Sequence, residues 1–185
     1  MVTVSANIKF DQEKDSVITL AGGCFWGTER LFRSHFSGRI TDLRVGYANG
    51  LDKFEELSYE QVCSGETEFT EVLQITYPKE NSETFKNLIQ FFFKVHDPTT
   101  FDKQGEDDVG KQYRSAIFYH DDSQIDIINQ VIEEFNPKWD NKIVTVVEKI
   151  NNWFDAEDYH QNYYETDLAN ERNWAPCSTH FVRDI

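Results

Sequence analysis

Two positions in this chain carry residue types placed where they could do chemistry. The first is Cys24, which follows two glycines and precedes two bulky rings in Gly22-Gly23-Cys24-Phe25-Trp26. Val17 to Ala21 is short and β-branched and reads as a buried strand. A helix should begin after it, because Phe25, Thr28, Phe32 and Phe36 recur at helical spacing, with Glu29, Arg30, Arg33 and Ser34 on the wet side, until Gly38. Cys24 then falls at a helix N-terminus, where unpaired N–H groups and the helix dipole favour an anion over a neutral thiol. Such placement lowers a thiol pKa from ~8.5 by one to several units and makes it a nucleophile near neutral pH. Phe25 and Trp26 would wall a small apolar pocket able to hold a methyl or methylene group. Phe25 also fits the core stripe of its helix, whereas Trp26 lies off it. The competing reading makes Cys24 one more small buried residue.

The second position is Glu71. On the strand expected from Thr70 to Tyr77, alternation puts Glu71, Leu73, Ile75 and Tyr77 on one face and Val72, Gln74 and Thr76 on the other. A carboxyl leading the more apolar face without a cation should hold its proton more tightly, which suits a general acid. Alternatively Glu71 lies just beyond the core. Beside a nucleophilic Cys24 the acid becomes complementary: one group attacks an atom while the other protonates its neighbour.

The elements that must position this pair follow from periodicity. A strand is expected at about Ile40 to Val45, then a loop from Gly46 to Tyr59. Asn81 or Ser82 can cap a helix carrying Phe85, Leu88, Ile89, Phe92 and Val95 on one stripe. Thr99 to Lys111 reads as a long loop, a length more often functional than idle. Ser115 to Tyr119 reads as a strand, Asp122 or Ser123 as the cap of a helix through Ile125, Ile128, Ile132 and Phe135, and Ile143 to Ile150 as a further strand. From Trp153 an aromatic-rich helix is expected to about Tyr164, followed by an irregular tail, 165–185, with His160 in the helix satisfying buried polar groups. This order predicts an α+β fold: residues 1–185 as one domain, a two-layer sandwich with a mixed, mostly antiparallel sheet, helices packed on it and a ferredoxin-like core.

Composition narrows the partners. The chain has 185 residues, and its 18 Lys and Arg against 33 Asp and Glu give a formal net charge of −15. Such a charge repels phosphate backbones and anionic headgroups, so neither nucleic acid nor a membrane is expected to bind. Aromatics at 15% exclude a disordered acidic chain. No apolar stretch approaches the ~20 residues of a membrane span, and Met1 to Lys14 does not read as a secretory signal. Three widely spaced cysteines, Cys24, Cys63 and Cys177, do not make a secreted disulfide framework, so a reducing, cytoplasmic setting is expected. Cys63 is expected to be structural and buried. No leftover apolar stripe suggests an oligomer, so a monomer is expected.

The run Gly22 to Glu29, Gly-Gly-Cys-Phe-Trp-Gly-Thr-Glu, resembles the signature of the A-type peptide methionine sulfoxide reductases. Further blocks fall in the family's order: Val45-Gly-Tyr-Ala-Asn-Gly50, Tyr59-Glu-Gln-Val-Cys-Ser-Gly65, His96-Asp-Pro-Thr99, Gly110-Lys-Gln-Tyr-Arg-Ser115 and Ala156-Glu-Asp-Tyr-His-Gln161. The resemblance implies that Cys24 attacks the sulfur of methionine S-sulfoxide, free or protein-bound, and that Glu71 protonates the departing oxygen. It implies that Tyr59 and Tyr113 hold that oxygen, that Asp108 lies near the site, and that Phe25 and Trp26 pack against the substrate methyl. Cys24 would be left as a sulfenic acid, which Cys177 would condense to a disulfide for thioredoxin to reduce. No cofactor or metal is implied, and Cys177-Ser-Thr-His180 lacks the second ligand pair of a zinc site. The chain departs from the family in Glu68-Phe69-Thr70, where many members have Gly-His-Ala, and in the glycine-poor Glu171 to Pro176, a stiffer tail that should slow disulfide formation. A thiol peroxidase and an acidic interaction module remain as rival readings.

Overall fold

The computed structural model describes residues 2–166 and 178–185. Cys177 lies outside the described residues.

Six strands form one sheet in the order β7-β6-β1-β3-β2-β8. They are β1 (Asp15–Gly22), β2 (Asp42–Ala48), β3 (Thr70–Pro78), β6 (Ser115–Tyr119), β7 (Val146–Lys149) and β8 (Trp153–Asp155). All neighbours are antiparallel except β6 and β7. A separate two-stranded ladder pairs β4 (Lys103–Gln104) with β5 (Asp108–Val109), inside the segment expected to be loop. The fold is α+β, with a mixed, mostly antiparallel sheet.

The helices are α1 (Phe25–His35), α2 (Tyr59–Cys63), α3 (Ser82–Val95) and α4 (Ile125–Phe135). The aromatic stripe of α1 and the Phe85, Leu88, Ile89, Phe92 stripe of α3 join Ile18, Leu20, Val45, Leu73 and Ile75 in the main core. Asn81 caps α3, its side chain accepting from the Thr84 N–H at 2.9 Å. Val72 belongs to a smaller cluster with Ala21, Ala48, Ala116 and Phe118 on the opposite face. Residues 3–9 run along that face. The Ser5 N–H donates to Gln74 Oε1 at 2.8 Å, Gln74 Nε2 donates to the Thr3 carbonyl at 3.1 Å, and Thr76 donates to the Lys9 carbonyl at 2.8 Å. These bonds let Gln74 and Thr76 be fully buried without an orphaned polar group.

Three expectations need correction. The strand expected over 143–150 shortens to Val146–Lys149, because the Val144 N–H is taken by the Pro98 carbonyl at 2.8 Å instead of the sheet. The expected aromatic helix from Trp153 is absent: Trp153, Phe154 and Asp155 pair with Ala48, Tyr47 and Gly46 of β2, and short 3₁₀ turns at Asp158–His160 and Tyr163–Glu165 follow. Bulky rings fit a pleated edge as well as a helix, and a waiting strand edge decides between them. Part of the expected loop from Gly46 to Tyr59 is strand, since β2 runs to Ala48.

One cation gathers the connections above this sheet. Arg114 donates to the carbonyls of Asn49 at 3.3 Å, Glu68 at 3.1 Å and Lys111 at 3.0 Å.

Candidate active site

Cys24 is the N-cap residue of α1, half-buried, with φ −51° and ψ 119°. The strand-to-helix turn arises because Gly23 takes φ +89°, which a side chain would resist. Helix α1 opens on Phe25, whose ring is buried at 1% exposure and whose N–H donates to Glu71 Oε2 at 3.1 Å. Glu71, also 1% exposed, points from β3 to the helix-bearing face, beside Tyr47 of β2 in register. The first backbone donor after Cys24 thus ends on this carboxyl, which brings the thiol and the acid to the same helix end.

Two tyrosines stand over that pair. Tyr59 is the first residue of α2, a one-turn helix fixed by a capping box: Ser58 Oγ accepts from the Gln61 N–H at 3.3 Å, and Gln61 Oε1 accepts from the Ser58 N–H at 2.8 Å. Burial pushes the Tyr59 phenol well above its ordinary pKa, and the nearby Glu71, Tyr113 and Cys63 groups push the same way. Tyr113 ends a 3₁₀ turn, Lys111–Tyr113, just before β6. Burial raises its phenol too, with Glu71, Cys63, Asp108 and Cys24 adding to it in turn. Both hydroxyls therefore keep their protons at neutral pH and remain donors. The same interactions bring Cys24, Glu71, Tyr59, Tyr113 and Asp108 into one electrostatic neighbourhood. Asp108 sits half-buried on β5, and its carboxyl is raised by burial and by Asp107, against the pull of His180.

Trp26 is held from two sides. Its Nε1–H donates to His160 Nδ1 at 2.9 Å, and its ring stacks on Tyr163 with centroids 3.7 Å apart and planes 5° apart. His160 is 1% exposed and burial depresses its pKa to about 4, so the ring is neutral and able to accept that bond. It packs at 5.1 Å from the Phe25 ring and 4.6 Å from the Tyr59 ring. Glu157 adds a second tie: its carboxylate accepts from the Tyr59 N–H and from the Tyr47 hydroxyl, both at 2.9 Å. Sequence reasoning gave no part in the site to Glu157 and placed His160 in a helix. Their i, i+3 spacing across one 3₁₀ turn was the available signal.

Cys63 corrects the expectation of burial. It ends α2 and is exposed, with its thiol beside the Tyr59 hydroxyl one helical turn back. The hydroxyl pulls its pKa down less than desolvation raises it. In the departure Glu68-Phe69-Thr70, Phe69 is buried edge-on against Phe154 with centroids 5.4 Å apart, and Glu68 pairs with Lys111 at 2.9 Å. An aromatic plug and an ion pair fill the place before the acid.

A half-buried cysteine at a helix start, a buried carboxyl bonded to the first N–H of that helix and two protonated phenols nearby make a candidate cysteine-based site. The profile of the peptide methionine sulfoxide reductase family matches residues 16–182. The chain is 48% identical over 187 residues to the peptide methionine sulfoxide reductase of Saccharomyces cerevisiae, covering 98% of each. A crystal structure of Mxr1 from Saccharomyces cerevisiae in reduced form superposes with a TM-score of 0.89 at 46% identity, covering 99% of this chain and 100% of that one. A second structure, of Mxr1 in complex with Trx2, matches with a TM-score of 0.67 at 38% identity over 99% of this chain and 100% of that one. The chain belongs to the peptide methionine sulfoxide reductase family and is a reductase of methionine sulfoxide.

Proposed function

We propose that the chain reduces the S-epimer of methionine sulfoxide, free or in exposed protein segments, with Cys24 as nucleophile and Glu71 as acid. The observation that carries this reading is the Phe25 N–H to Glu71 Oε2 bond, which ties the buried carboxyl to the turn bearing Cys24. A sulfoxide sulfur accepts a nucleophile only once its oxygen is protonated or strongly hydrogen-bonded. The Cys24 thiolate forms a bond to that sulfur as Glu71 gives its proton to the oxygen, with the Tyr59 and Tyr113 hydroxyls donating to the same oxygen. The hydroxyl then passes from the substrate sulfur to the Cys24 sulfur as the substrate S–O bond and the new sulfur–sulfur bond break, so that methionine leaves, Cys24 is left as a sulfenic acid, and two electrons have passed from thiol to sulfoxide. Phe25 and Trp26 wall the substrate methyl, and this apolar wall distinguishes one epimer from the other. Asp108 sits at the edge of the same polar pocket.

Cys177 then displaces water from the sulfenic acid to give a disulfide, and a thioredoxin dithiol reduces it by exchange. The matched complex of Mxr1 with Trx2 supports that reductant. The chain works as a single domain over 1–185, as a monomer, in the cytoplasm, with no metal or organic cofactor. Among the described residues no helix is long and apolar enough to cross a membrane.

The test is to incubate the protein with each epimer of a methionine sulfoxide peptide and dithiothreitol. Turnover of the S-epimer alone is expected, and no turnover of either ends the reading. Cys24→Ser should abolish activity. Cys177→Ser should spare one turnover and stall recycling by thioredoxin, with mass spectrometry of cysteine pairing as the check.

A further inference from the structure

The C-terminal segment returns to the nucleophile's turn through a residue to which the reaction scheme gives no role. His180 is buried at 7% exposure, and its Nε2 lies 2.6 Å from the Gly22 carbonyl oxygen. A carbonyl only accepts, so Nε2 carries the hydrogen, and Nδ1 is left to accept from the Thr179 hydroxyl at 3.1 Å. The same ring packs against Gly27: a Cβ there would sit 2.6 Å from His180 Nδ1 and 2.7 Å from Cγ. One imidazole therefore holds the backbone two residues before Cys24 and fills the space over the backbone three residues after it.

The other contacts of the turn make this a clamp. A Cβ on Gly23 would meet Gln104 Cγ at 2.3 Å and His180 Cε1 at 3.4 Å. Gln104 is itself fixed, accepting from the Asp97 N–H at 3.0 Å and donating to the Asp97 carbonyl at 2.6 Å. Behind His180 the segment is fastened again, where the Arg183 N–H donates to the Lys94 carbonyl at 2.9 Å and its guanidinium lies 5.3 Å from the centre of the Trp139 ring.

We propose that His180 is a positioning residue for the nucleophile, clamping Gly22 and Gly27 so that the C-terminal segment completes the turn that aims Cys24. The proposal rests on the reading of Cys24 as the attacking thiol. A thiol at a helix N-cap is favoured as an anion only while the turn keeps it at the positive end of the helix, and the clamp holds the backbone on either side of that turn, at Gly22 and Gly27. Displacement of a reacting group by about 1 Å can cost on the order of 10²-fold in rate. Loss of the clamp thus acts on the attack itself.

The experiment uses the full chain with His180→Leu, which keeps bulk and loses the donor, and His180→Gln, whose amide N–H can replace Nε2–H. Two quantities are read: the pH profile of Cys24 alkylation by iodoacetamide, followed by peptide mass spectrometry, and the single-turnover rate with a methionine sulfoxide peptide. His180→Leu should move the alkylation midpoint to higher pH and slow the single turnover about tenfold or more, and His180→Gln should recover most of both. A folded His180→Leu chain with the unaltered profile and rate overturns the proposal. Should that variant not fold, Gly27→Ala pushes on the ring from the other side and should shift the same profile; no shift in a folded Gly27→Ala chain also overturns it. An unmodified chain that alkylates at Cys24 yet turns over no sulfoxide would defeat the reductase mechanism alone, because the alkylation profile still decides the clamp.

Discussion

Glu71 is the residue whose loss should be most specific. Glu71→Gln keeps the shape and an acceptor for the Phe25 N–H but removes the transferable proton. The single-turnover rate should fall about 10²- to 10⁴-fold, the usual range for a positioned acid, with substrate affinity little changed. Rapid-quench measurement of methionine release checks this, and a rate within a few-fold of the parent would remove Glu71 from the chemistry. The placements of Cys24 and Glu71 were legible because each was argued from its own few neighbours: a turn before a helix, and a carboxyl on the apolar side of a strand. Glu157 and His160 were not, because what defines them lies far along the chain. Glu157 meets Tyr59 from 98 residues away and Tyr47 from 110, and His160 meets Trp26 from 134. Local pattern carries no trace of such pairings, and the family blocks named the stretch without saying what it touches. Cys63 shows the opposite failure: expected to be buried, it stands exposed at the end of the one-turn helix α2.

At the scale of elements, the helix that Cys24 caps depends on its aromatic stripe. Phe32 is fully buried, stacked on Phe36 with centroids 5.7 Å apart and edge-on to Phe91 at 5.0 Å. Phe32→Ala should cost about 3–5 kcal/mol, read as a lower denaturant midpoint with an unchanged slope. Two rings fixed between elements add a pH dependence. His96 ends α3, bonded to the Phe92 carbonyl and to Ser115 Oγ of β6, both at 2.7 Å, and burial holds its pKa at about 3; His160 is held at about 4. Both values lie below the ~6.5 of an unfolded histidine, so the unfolded chain takes up protons first as pH falls. The stability they lend is complete above ~6.5 and is lost towards pH 4 for His160 and towards pH 3 for His96, at about 1.4 kcal/mol per pH unit for each ring. Proton NMR of the two imidazoles should show neutral rings at pH 5.5; either ring titrating near 6.5 contradicts this. Helices α1, α3 and α4 and the strands β1, β3 and β6 were legible from periodicity. The region after Trp153 was not, because its rings fit either element and only the free edge of β2 makes them strand.

The whole molecule carries its net charge of −15 on a compact body, and that charge opposes itself. Raising salt from about 10 mM to about 150 mM shortens the screening length from ~30 Å to ~8 Å, so the melting temperature should rise. Calorimetry checks the sign, and a fall would mean that the ion pairs outweigh the repulsion. The surface pairs give little reason to expect that: Lys14–Asp11, Lys142–Asp140 and Lys149–Asp122 are largely exposed, where such pairs contribute about 0–1 kcal/mol. Charge and aromatic content were enough to read a folded, acidic chain; how its connections meet was not in the composition. Arg114 decides part of that. Its planar fork reaches three carbonyls from connections that are 65 and 46 residues away in sequence and next door, a task a lysine's single ammonium does poorly. The approaches to β3, with Glu71, and to Tyr113 are therefore moored to a common post. Whatever docks over Cys24 meets a collar that yields as a unit, so a bulky oxidised protein has to bring its own slack, and unfolded or loop-borne methionines should be repaired before those set in rigid helices.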